Sequence, residues 1–168
     1  MKISVLLPIL IFNSLWFAIV FLAHTSFSYL TVLLPWPLLL FEFYNKRLLR
    51  NQIGLLFALA IAGYLFDVVL SSLGGLQFFE FGNQVRTPIW LASMWLLFAF
   101  VLPSMSSAFE GKLKTTFIVG AVLGPLSYLS GEKFALLHFT SNEWIALDAL
   151  FWGFYFSYCI SVLRRKSG

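Results

Sequence analysis

Four ionisable side chains interrupt otherwise apolar runs: Asp67, Glu132, Lys133 and Asp148. Carboxyl and amine groups held away from water can relay protons, bind ions or act as acid and base. In a membrane each costs about 2.5–3.5 kcal/mol on insertion scales, so such groups are expected to face a bundle interior and pair. Tyr128 and Asn13 join them as hydrogen-bonding candidates for one polar layer. The sequence neighbours Glu132 and Lys133 point about 100° apart on a helix, so Lys133 is expected to pair with Asp148 instead. Three roles follow for the layer. It can hold helices together, it can line a pocket that opens outward, or Glu132 and Lys133 can sit in water if their helix ends at Gly131.

Other chemistry is missing. His24 and His138 form no His-x-x-His or His-Glu-x-x-His spacing, and Cys159 is the single cysteine, so neither a metal site nor a disulfide framework is expected. No Gly-x-Ser-x-Gly elbow and no phosphate-cradling glycine loop occurs. No catalytic residue and no cofactor is assigned. Trp36, Trp90, Trp95, Trp144 and Trp152 are expected to be packing or interface residues rather than a ligand cage.

The elements that must position these residues are membrane spans. The chain is 60% hydrophobic and 11% charged, against roughly 45–50% and about 25% in soluble domains. A chain of 168 residues cannot hide that much apolar surface from water in a soluble fold. About 20 apolar residues cross a bilayer core, and six runs qualify: 3–23, 26–44, 52–73, 88–109, 115–139 and 142–163. The first is too long for a signal-peptide core, and bulky Phe21 occupies a position where cleavage needs a small residue. The expected fold class is all-α: a single domain, one bundle of six transmembrane helices.

Basic residues orient that bundle. With the N-terminus inside, Lys2, Lys46, Arg47, Arg50, Lys112, Lys114, Arg164, Arg165 and Lys166 are cytoplasmic, which is nine of the 11 lysines and arginines. Both termini are therefore expected in the cytoplasm. The positive charge flanks apolar runs, which argues against nucleic acid as a partner. In this frame Asp67, Lys133 and Asp148 each lie six residues, roughly 9 Å, from the outer end of a span, with Glu132 at nearly the same level. Only Glu42 lies in the inner half.

Three spans contain breaks: Pro35-Trp36-Pro37, Pro103 and Gly124-Pro125. Each proline frees a carbonyl that needs another partner in lipid, and Thr31 is placed to serve the one before Pro35. The simplest expectation is kinked packing helices; the sharper one is a discontinuous helix lining a site. The loop 74–87 carries Leu76, Phe78, Phe79 and Phe81 and is expected in the outer interface. The three spans of each half do not match in their polar residues, so no internal repeat is expected. On the sixth span, Trp144, Asp148, Trp152, Tyr155 and Cys159 form one stripe at helical spacing.

The runs 87–99 (Thr-Pro-Ile-Trp-Leu-Ala-Ser-Met-Trp-Leu-Leu-Phe-Ala) and 119–131 (Val-Gly-Ala-Val-Leu-Gly-Pro-Leu-Ser-Tyr-Leu-Ser-Gly), with Asn13 and Trp16, resemble a small proteobacterial inner-membrane family known only as a domain of unknown function. The resemblance spans nearly the whole chain and implies a bacterial inner-membrane protein without assigning an activity. It also implies a neighbourhood of lipid-modifying enzymes. The leading expectation is a non-catalytic accessory protein with membrane lipids, or a membrane protein, as partner. The alternatives are a small transporter using the polar layer, and an integral enzyme acting on lipid with Glu132 or Asp148 as acid or base. No oligomeric state is specified.

Overall fold

The computed structural model describes residues 3–45, 52–80, 82–109 and 111–165. The basic residues Lys2, Lys46, Arg47, Arg50 and Lys166, and Phe81 of the aromatic loop, lie outside the described residues. The chain folds into α1 (Ile3–Ala23), a 3-10 segment (Ser28–Leu33), α2 (Trp36–Tyr44), α3 (Ile53–Ser72), β1 (Leu76–Glu80), β2 (Asn83–Val85), α4 (Ile89–Ala108), α5 (Leu113–Lys133), β3 (Leu137–Phe139) and α6 (Asn142–Arg165). Five helices are long and apolar enough to cross a membrane: α1, α3, α4, α5 and α6. Such a chain is a multi-pass membrane protein.

The expectation of six helical spans in an all-α fold is corrected in two places. First, the run 26–44 is not one helix. Its 3-10 turns stop before Pro35, and α2 starts afresh with Pro37 in its first turn. Proline there lacks an N–H that a first turn can spare, whereas a continuous helix would need it. Thr31 does not rescue a freed carbonyl; its hydroxyl donates to the Ser28 carbonyl at 2.6 Å. The segment still travels the length of α4, since Thr31 meets Ser93 at 3.2 Å and Glu42 accepts a hydrogen bond from Ser104. With the longer 3-10 rise of about 2.0 Å, its 17 residues approach the ~30 Å of a bilayer core.

Second, the loop 74–87 is a hairpin, and β1 also pairs with β3, giving an antiparallel sheet ordered β2-β1-β3. The alternation of the loop explains this: Leu76 and Phe78 turn into the bundle and are fully buried. Trp90 of α4 donates its indole N–H to the Phe79 carbonyl at 3.2 Å and pins the sheet to the bundle. The expected fifth span 115–139 is shortened accordingly, because α5 ends at Lys133 and residues 137–139 belong to β3.

α3 and α5 stop in the same way. After α3, Gly74 has φ 79°, its N–H bonds the Ser71 carbonyl, and Gly75 N–H bonds Leu70. After α5, Ala135 has φ 54°, its N–H bonds Glu132, and Leu136 N–H bonds Gly131. Both are Schellman motifs, which satisfy the last carbonyls of a helix through one left-handed residue. Each chain then enters a strand. The pairing Leu76↔Phe139, Gln77↔His138 and Phe78↔Leu137 is unchanged if β1 and β3 are exchanged. α3 and α5 thus end in the same manner and lead into strands that pair with each other. The polar residue seven places before each left-handed turn differs, Asp67 on α3 against Tyr128 on α5.

α1, α2 and the 3-10 segment pack on α4, as α3 does, while α5 and α6 pack on each other. The sheet closes one end of the bundle. Lys112 and Lys114 at the start of α5, and Arg164 and Arg165 at the end of α6, lie at the other.

Candidate functional site

The core polar cluster is built on one carboxylate. Asp67, fully buried on α3, accepts a hydrogen bond from the Trp95 indole N–H of α4 at 2.6 Å. The Tyr128 hydroxyl of α5 donates to the same group, 2.8 Å from both oxygens. Asp148 on α6 is fully buried and within electrostatic reach of Asp67 and Tyr128, yet neither of its oxygens has a hydrogen-bond partner.

Two glycines make room for the tryptophans that cover this cluster. A Cβ at Gly63 of α3 would collide with the Trp95 ring, and one at Gly124 of α5 would collide with Trp152 of α6. Gly120, one turn before Gly124, lies against the Trp152 carbonyl and Phe156. The Gly-x-x-x-Gly spacing lets α5 and α6 approach closely. Trp95 and Trp152 then stack, with centroids 5.0 Å apart and planes 7° from parallel. Tyr155 ties α6 to α3 by donating to the Leu59 carbonyl at 2.5 Å.

In front of the two tryptophans lies an apolar groove of about 710 Å³, between α1 on one side and α5 on the other. Its volume falls in the range of small-ligand sites, roughly 300–1,000 Å³. α1 and α5 pack on α4 and α6 rather than on each other. At the sheet end Trp16 and Phe17 meet Phe134 edge-on, at 6.2 and 6.4 Å, and bridge the gap. The floor is Trp95 and Phe98 of α4; Tyr128 and Trp152, which flank the carboxyls, line one wall. The hydroxyls of Ser127 and Ser130 are turned back to their own helix, bonding Gly124 and Leu126 carbonyls at 2.7 Å. The wall therefore presents carbon to whatever enters. Among the described residues no group of His, Cys, Asp and Glu is arranged to hold a metal ion.

A family model described as "Protein of unknown function (DUF2878)" matches residues 5–158. The chain belongs to that family. No curated protein and no solved structure matches it. The matched DUF2878 region contains α3, α4 and α5 whole, and with them every residue of the cluster and the groove.

Of the residues expected in one polar layer, the DUF2878 fold brings together Asp67, Tyr128 and Asp148 and separates the other three. Lys133 is exposed in the last turn of α5 and does not pair with Asp148, a correction that follows from the helix ending before residue 139. Glu132 lies in the same turn and pairs with His138 of β3 at 2.6 Å. Asn13 is exposed at the groove and donates to Ile9 of its own helix at 2.8 Å, instead of reaching a neighbouring helix. Trp95 and Trp152 were expected only to pack; Trp95 is also a donor to the buried carboxylate. The sequence signal for them was a glycine on the preceding long helix, Gly63 for Trp95 and Gly124 for Trp152.

Proposed function

We propose that this protein is a lipid-binding accessory protein of a bacterial inner membrane, and that a lipid acyl chain occupies the groove between α1 and α5. The groove carries the reading. It opens sideways between helices that cross the membrane, it is lined with carbon, and the surrounding solvent at that depth is lipid. An acyl chain seated in it gains dispersion contacts along its length. The end of the bundle bearing Lys112, Lys114, Arg164 and Arg165 faces the cytoplasm in this reading, and the sheet faces the periplasm. A membrane-bound enzyme acting on lipid is the kind of partner such an accessory protein serves.

Native mass spectrometry of gently extracted protein tests it. Wild type is expected to retain lipid adducts, and Ser127→Phe, which narrows the groove, is expected to lose most of them without losing its fold. Bare wild type, or equal lipid on both proteins, would overturn the reading.

A second reading, a small transporter, draws on one observation: Asp67 and Asp148 are carboxyls buried inside a bundle of membrane-length helices, the kind of group that marks ion and proton pathways. It requires activity that collapses with the ion gradient, which lipid binding does not.

A further inference from the structure

Asp148 and Trp152 are one turn apart on α6, so their side chains lie on the same face. Both oxygens of Asp148 lack a hydrogen-bond partner, and so does the Trp152 indole N–H, in a residue only 7% exposed. The indole stacked on it, that of Trp95, has its partner in Asp67. Tyr128 lies close enough to Trp152 to be influenced by its N–H but forms no hydrogen bond with it, and the Tyr128 hydrogen is committed to Asp67. Buried polar groups in folded proteins are almost always satisfied. Here a buried acceptor and a buried donor lie one turn apart on one helix face, and a single hydroxyl can serve both, donating to one and accepting from the other.

We propose that Asp148 and Trp152 together bind one hydroxyl group, whose O–H donates to the Asp148 carboxyl and whose oxygen accepts from Trp152 Nε1. Trp152 also lines the groove, so the group arrives from there. Its source is either the hydroxyl of a groove-bound lipid, which rests on the reading of the groove as a lipid site, or a water molecule. A cation alone leaves the indole N–H unmet, and a bare carbonyl has nothing to donate to an ionised Asp148.

The test uses the full chain in phosphatidylcholine nanodiscs with two probes, a brominated long-chain alcohol and its methyl ether. Bromine quenches the tryptophans that line the groove, and only the alcohol can donate. If a lipid hydroxyl is bound, the alcohol quenches at about tenfold lower concentration than the ether, as one hydrogen bond allows. Asp148→Asn and Trp152→Phe then shrink that preference and leave the ether unchanged. If water is bound, alcohol and ether quench alike, and the infrared band of the Asp148 carboxyl, identified by its loss in Asp148→Asn, shifts when the sample is dried. Equal quenching with a band that drying does not move overturns the proposal. Quenching by neither probe in wild type overturns the groove reading instead and leaves the drying measurement to decide the water case. If Asp148→Asn does not fold, Trp152→Phe and the wild-type comparison of alcohol with ether decide.

Discussion

Asp67 is where three helices are stitched by side chains alone. A lone carboxylate in a bilayer is expensive, and Asp67 offsets that cost with an indole N–H and a phenol O–H from two other helices. The same bonds make the neighbours dependent on it, because a donor left without its acceptor loses the full desolvation penalty. Tyr128→Phe is expected to destabilise the protein by about 1–3 kcal/mol, measured as a shift in the detergent-unfolding midpoint. Tyr128→Phe combined with Asp67→Leu should cost less than the sum of the two single changes, since removing both partners strands neither. Strict additivity would separate the two residues functionally. Lys133, by contrast, lies outside this balance: exposed at the end of α5, it can be replaced by Met with little effect on stability.

Among the elements, the ends of α3 and α5 set the depth of the cluster. Each helix stops where one residue turns left-handed, seven residues after Asp67 on α3 and Tyr128 on α5, and each strand that follows pairs with the other. The two stops differ in chemistry. Glycine holds the left-handed place after α3, and alanine holds it after α5. A side chain in that conformation costs roughly 1–2 kcal/mol, partly balanced by the extra freedom glycine has when unfolded. Ala135→Gly is therefore expected to stabilise the protein by about 0.5–1 kcal/mol, and Gly74→Ala to destabilise it by about as much, in the same unfolding assay. A reversed order would mean that these turns do not govern the stop.

For the whole molecule, the proposed orientation makes a direct prediction. Reporter fusions after Arg50, after Lys114 and at the C-terminal end are expected to read cytoplasmic, and fusions at Gly82 and Thr140 periplasmic. The broken second segment is the sharpest part of that test, since its 3-10 turns and short α2 must carry the chain across alongside α4. A periplasmic signal after Arg50 would show that this segment turns back, and would reverse every later element.

The membrane class, the positions of the five long helices and the inward stripe of α6 were legible in the sequence, because each depends on local quantities. Apolar run length decides partition into lipid, helical periodicity decides which residues share a face, and proline marks where backbone donors are lost. Family membership was legible too, in motifs spread over most of the chain. The pairing of polar groups was not. Lys133 and Asp148 agree in depth on paper, yet the depth assumed that α5 ran to residue 139, and its end is decided by β3 pairing with β1. Asp67 meets Trp95 and Tyr128 because glycines on α3 and α5 admit two indole rings between helices. The groove exists because α1 and α5 choose different neighbours. Those outcomes depend on how surfaces from distant parts of the chain fit against one another, and no residue carries that fit by itself.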